Sequence, residues 1–138
     1  MRFMIIVKAT KDSEAGVMPE EKLIADMAGY HEELQKAGVL LDASGLQPSS
    51  KGWRIKYKER KRSVIDGPFA ETKELIAGYT IIQVKSREEA LEWSRRFPNP
   101  AIGGVDCEIE VRQMYELDDF PPSEAVERFR EMGVASER

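Results

Sequence analysis

Apolar and polar positions along this chain change period several times, and each period predicts an element. Residues 2 to 8 form a mostly apolar run, the pattern of a central strand buried on both faces. A polar stretch from Lys11 to Val17 reads as a loop. Leu23, Met27, Tyr30, Leu34 and Ala37 then recur at steps of three and four, which places one apolar stripe on a helix from Pro19 to Ala37. Pro19 is tolerated in the first turn, Glu20 and Glu21 suit the positive end of the helix dipole, and Gly38 supplies the stop. Val39 to Leu46 predicts a second strand broken by Gly45, followed by a turn from Gln47 to Gly52.

From Trp53 the period becomes two. Trp53, Ile55 and Tyr57 face one way while Arg54, Lys56 and Lys58 face the other, and after a polar turn at Glu59-Arg60-Lys61 the chain returns from Arg62 to Asp66 as the partner strand of a hairpin. Gly78 to Val84 reads as another strand. Ser86 and Glu89 have the spacing of a capping box, which starts a second helix that runs to about Phe97 before Pro98 and Pro100 end it. Cys107 to Met114 alternates again, with Cys107, Ile109 and Val111 on one face. Val126, Phe129 and Met132 lie at helical spacing between Pro121 and Gly133, predicting a short extra helix whose apolar face docks on the domain or on a partner.

The resulting order, strand, helix, strand, hairpin, strand, helix, strand, predicts an α+β fold with an antiparallel sheet and both helices on one face. The other face is then bare, and a second copy of the same sheet is the simplest cover, so a homodimer follows from the pattern. A chain of 138 residues with 41% hydrophobic composition suits one domain, residues 1–116, with an extension over 117–138. A net charge of −4 with a third of the residues charged describes a globular chain and predicts no general affinity for nucleic acid. No apolar run approaches membrane-spanning length, and the start of the chain lacks a signal-peptide pattern. The single cysteine, Cys107, excludes an internal disulfide and a cysteine-rich zinc site and is expected as a buried thiol on a strand. A reducing, cytoplasmic setting is expected.

Between two apolar runs lies the densest motif, Asp66-Gly67-Pro68-Phe69-Ala70-Glu71-Thr72-Lys73-Glu74. Gly67 can take backbone angles closed to other residues and Pro68 fixes its own φ, so the chain after Asp66 is held rigidly and its carboxylate is placed. This string, with residues 1 to 10, Ala37-Gly38-Val39-Leu40-Leu41, Gly45-Leu46-Gln47-Pro48 and Ala77-Gly78-Tyr79, resembles the YCII-related (YciI-like) family and its DGPF subgroup over roughly residues 1–116. The resemblance implies a ferredoxin-like domain of the dimeric α+β barrel type, and a few such proteins act on small, often ring-derived acids. It also links some DGPF proteins to sigma-factor or transcription-initiation contexts. No helix-turn-helix pattern is present here, and the sequence pI is about 5.2.

The functional candidates follow. Asp66 is the candidate catalytic acid or base, with Lys73 or Arg54 steadying a substrate carboxylate, Glu71 and Glu74 as further ligand-binding charges, and Gly67, Pro68 and Phe69 as the structural frame. The competing role for Asp66 is a turn cap that accepts backbone N–H bonds. His31 is the only histidine and falls one step off the apolar stripe, where a half-buried structural role is expected. The His–Asp pair that the resemblance implies for compact relatives does not carry over. Its histidine would fall near Met27, and Pro98-Asn99-Pro100 replaces the second half.

Seven basic residues between Lys51 and Arg62 alternate with Trp53 and Tyr57 onto opposite faces, which predicts a wet cationic face and an aromatic face directed to the core or a dimer interface. The acidic residues from Glu116 to Glu131 are placed to neutralise that hairpin across a dimer. Neither ligand-spaced His, Cys and carboxylate clusters nor a Gly-rich phosphate loop nor a Gly-x-Ser-x-Gly elbow occurs, so no metal or cofactor is expected. The candidate function is a small-molecule-binding dimer, either with lyase or isomerase-type proton chemistry or as a non-catalytic regulatory protein.

Overall fold

The computed structural model describes all 138 residues. Strand β1 (Arg2–Lys8) leads through a short helix α1 (Lys11–Glu14) into helix α2 (Glu21–Lys36) and strand β2 (Leu40–Gly45). The hairpin β3 (Trp53–Lys58) and β4 (Lys61–Asp66) follows, then β5 (Ile76–Gln83), α3 (Arg87–Arg95), β6 (Ile109–Gln113) and α4 (Glu124–Met132). The main sheet has the order β2-β5-β1-β6 with all neighbours antiparallel. Each long helix thus joins two strands separated by one strand of the other unit. This is the ferredoxin-like arrangement, with β3–β4 inserted as a separate two-stranded arm.

Register explains which face holds the core. Phe3 lies opposite Ile82, Ile5 opposite Thr80, and Ile5 also opposite Val111, so these side chains share the face covered by α2 and α3. Ile5, Leu34 and Ile82 are fully buried there, packed with Tyr30, Val39, Val84 and Ala90. Met4, Ile6, Tyr79 and Ile81 occupy the other face and are half-buried. Arg2, at the end of that face, is buried, with its guanidinium donating to Glu116 and to the Tyr115 carbonyl oxygen. No helix is long and apolar enough to cross a membrane.

Several sequence expectations change at this level. The polar stretch after β1 contains α1, because Thr10 and Ser13 cap it reciprocally, Thr10 Oγ1 accepting from the Ser13 amide at 3.2 Å and Ser13 Oγ from the Thr10 amide at 2.8 Å. Ser86 caps α3 as expected, but Glu89 accepts from the Lys85 amide rather than from that of Ser86. Cys107 is exposed and lies outside β6, which begins two residues later. Helix α4 is closed by Ser123 and by Gly133 at φ 73°, yet Phe129 and Met132 remain exposed, so its apolar face does not dock on the domain within one chain. The tail beyond it is nevertheless tied down: Arg138 and Gln83 exchange two hydrogen bonds, and Glu137 pairs with the N-terminal amine.

Candidate functional site

Gly45 and Gly78 lie directly opposite each other where β2 meets β5, and Val7 faces Gly78 from β1. Two glycines in register put no side chain on the helix side of the sheet at that point. A hollow therefore opens beneath the first half of α2. Two adjoining cavities of about 410 and 380 Å³ fill it, sharing Val7, Pro19, Gly45, Ala77 and Pro100 in their walls. Leu23, Met27 and His31 hang from α2 into the inner one, and Phe97 and Pro100 of the segment after α3 close its side. The outer one is bounded by Met18, Leu46, Ile102 and Cys107, with Lys8 as its cation. No carboxylate, lysine or arginine lines the inner cavity.

His31 is the polar centre of this cleft. One ring nitrogen, Nδ1, stands 2.7 Å from the Met27 carbonyl oxygen, and the other, Nε2, stands 2.8 Å from Thr80 Oγ1. A carbonyl oxygen only accepts, so Nδ1 carries a proton, and in the neutral ring Nε2 accepts from the Thr80 hydroxyl. Thr80 is 2% exposed and lies on β5 opposite Ile5. Tyr30 and Phe97 meet the imidazole edge to face at 5.4 and 6.1 Å, which fixes the plane of the ring. Burial pushes the Tyr30 phenol up to about 12, with Arg96 opposing and Glu33 adding to the shift, so it stays a hydrogen-bond donor to the Trp93 carbonyl oxygen.

The motif residues stand elsewhere. Every residue of β3 and β4 is exposed. Asp66 pairs with Trp53 across the arm, while Arg54 pairs with Ile65, so Asp66 and Arg54 point to opposite faces. The Asp66 carboxylate takes no hydrogen bond and no ion pair, which removes the turn-cap role. Arg54 instead lies over the Phe69 ring at 3.7 Å. Glu71, Lys73 and Glu74 are exposed, and Lys73 lines a third cavity, of about 630 Å³, with Lys8, Thr10 and Cys107. None of Asp66, Arg54, Glu71 and Glu74 lines the cleft.

What the motif does hold is the base of the arm. The Gly67 amide donates to the Gly52 carbonyl at 3.0 Å, and the Phe69 amide donates to Ser49 Oγ at 3.0 Å. Ser49 is fixed in turn by Glu14, whose carboxylate accepts from both its amide and its hydroxyl. Gly67 is required by space, not by a left-handed backbone: a Cβ there would stand 1.9 Å from the Ser49 carbonyl oxygen. Gly67, Pro68 and Phe69 thus tie the arm, the turn before it and α1 together.

Sequence reasoning set His31 aside as a structural boundary residue. Its part in the cleft rests on Thr80, 49 residues away, which no local pattern shows. A signal existed all the same, because Leu23, Met27 and His31 recur at steps of four and form one row along α2.

An uncharacterised protein, R00369, of Rhizobium meliloti (strain 1021) is 28% identical over 102 residues, which is 74% of this chain and 82% of that protein. The solved structure of 5-chloro-2-hydroxyhydroquinone dehydrochlorinase (TftG) from Burkholderia phenoliruptrix AC1100, in complex with 2,5-dihydroxybenzoquinone, is similar with a TM-score of 0.46 and 14% identity. That likeness covers 84% of this chain and 95% of the other. Residues 1–115 match the YCII-related domain, and the chain therefore belongs to the YCII-related family.

Proposed function

We propose that this protein is a homodimer that binds a small organic acid in the cleft between α2, β5 and the segment after α3. One observation carries the reading. Two adjoining, largely apolar cavities share a wall, and the inner one is lined by a hydrogen-bonded polar pair, His31 and Thr80, a make-up usual for a small-ligand site. Lys8 in the outer cavity, with Lys73 in the third cavity beside it, supplies positive charge for a carboxylate. The dimer is supported by two apolar surfaces that one chain leaves uncovered: the sheet face of Met4, Ile6, Tyr79 and Ile81, and the arm face of Trp53, Ile55, Tyr57 and Val64.

Proton chemistry of the lyase or isomerase type needs an acid or base at the ligand. Asp66 is favoured by its unpartnered carboxylate on a rigid base. It does not line the cleft of its own chain, so in this reading the arm of one copy brings Asp66 to the cleft of the other. The alternative, a non-catalytic ligand-binding or regulatory dimer, is favoured by the inner cavity, whose own walls carry no carboxylate, lysine or arginine. A thermal-shift screen with small carboxylic acids tests the site. Ala43 is exposed on β2 and lines the inner cavity, so Ala43→Trp should fill the cleft without entering the core. Acids that raise the melting temperature of the native protein should fail to do so in this variant; equal stabilisation of both would place the ligand elsewhere. Turnover of the acids that bind separates the enzyme from the regulatory dimer.

A further inference from the structure

We propose that His31 is a general base that takes a proton from a hydroxyl group of the ligand, and that Thr80 steadies the oxygen anion so formed. The inference rests on the cleft being the ligand site and extends it to a class of molecule: a weakly acidic hydroxyl, phenolic or enolic, on a flat apolar body.

The geometry supplies each part. The Met27 carbonyl holds the proton of neutral His31 on Nδ1, so the lone pair is on Nε2, the atom that faces Thr80 and the cleft. Nε2 already accepts from a hydroxyl at 2.8 Å, and a ligand hydroxyl entering beside Thr80 competes for the same lone pair. In the transfer the ligand O–H bond breaks, the Nε2–H bond forms, and the electron pair stays on the ligand oxygen. The imidazolium then donates from Nδ1 to the Met27 carbonyl and from Nε2 to the ligand anion. Thr80, released from Nε2, turns its proton to the same anion. The surroundings favour a compact ion pair, because no other charged side chain of the same chain lines this cavity and few of its groups compete for the new charges. The remaining titratable groups near the ring are Tyr30, engaged with the Trp93 carbonyl, and Tyr79, whose hydroxyl donates to Asp42 at 3.1 Å. Phe97 offers an aromatic edge for a flat ring. Proton abstraction by a positioned side chain is the step this arrangement can perform.

Two measurements test it, and the single histidine makes both unambiguous. Nitrogen-15 NMR of histidine-labelled protein at mildly alkaline pH should show Nδ1 protonated and Nε2 bare; the opposite tautomer overturns the proposal and leaves the cleft reading untouched. The probe for the second is 4-nitrophenol, whose anion absorbs in the visible. It should bind with its anion band present at a pH where the free phenol is mostly protonated. His31→Gln, which keeps a hydrogen-bonding side chain, should retain binding and lose that band at least tenfold. Binding without the band in the native protein, or an unchanged band in His31→Gln, overturns the base. A probe that does not bind overturns this proposal and leaves the cleft reading to the carboxylic-acid screen; one that binds equally to native protein and Ala43→Trp sits outside the cleft and overturns this proposal as well.

Discussion

The cleft under α2 and the β3–β4 arm divide the evidence for function in opposite ways. The arm carries the motif that dominates the sequence, yet in the fold its conspicuous residues are exposed or structural, and Asp66 meets nothing in its own chain. The cleft carries almost no local signature, yet there the chain brings a histidine, a buried hydroxyl and apolar walls together. The difference teaches that a dense motif marks where the backbone is most constrained. Gly67 shows this directly, since its place is fixed by a carbonyl oxygen from another turn and not by chemistry at Asp66.

Substitution at adjacent residues gives the sharpest contrast. Gly67→Ala pushes a methyl group into the Ser49 carbonyl, a backbone group that cannot swing away, and should destabilise by about 3 kcal/mol as an overpacked site. Asp66→Asn changes an exposed, unpaired side chain and should shift stability by less than about 0.5 kcal/mol. Urea unfolding midpoints of the two variants measure this. A large loss in Asp66→Asn would restore a structural part for the carboxylate.

On the cleft side, Tyr30 should make the core sensitive to alkali. Its folded value is raised from 10.0 to about 12, so across that window the unfolded chain loses a proton that the native chain keeps. The contribution is complete below pH 10 and is lost as pH rises toward 12, on the order of 2 kcal/mol. Tyr30→Phe should flatten that slope while giving up the bond to the Trp93 carbonyl, read from stability curves at several pH values.

A smaller effect belongs to the tip of the arm. Glu59 and Arg60 form a two-residue turn with φ of 51° and 64°, the left-handed region that asparagine and glycine occupy readily. Replacing them with Asn-Gly should stabilise the arm by about 1 kcal/mol. Hydrogen-exchange protection of the β3–β4 amides should rise, while that of β1 and β5 stays level.

Much of the fold was legible because its signals are local. The apolar run of β1, the stripe of α2, the alternation of Trp53 to Lys58 and the Ser86 cap each follow from a period or a spacing read within a few residues. The short helix α1 was missed because four polar residues show no period, although Thr10 and Ser13 carry its cap. Cys107 was misplaced because alternation ran on two residues before the strand begins, and its thiol instead donates to Asn99 Oδ1 at the edge of the cleft. The cleft itself was hidden, because it depends on strand register setting Gly45 against Gly78 and on a helix laying His31 over Thr80. Periodicity gives faces, and it does not give which faces meet.

The central claim, that the ligand seat is the cleft and not the motif, is tested most directly by NMR mapping of the best-binding acid from the thermal-shift screen. The account predicts that the Met27 methyl, the His31 ring and the Phe97 ring shift on titration with a common affinity. Saturable shifts at Trp53, Phe69 and Asp66 with Met27 and His31 unmoved would contradict it.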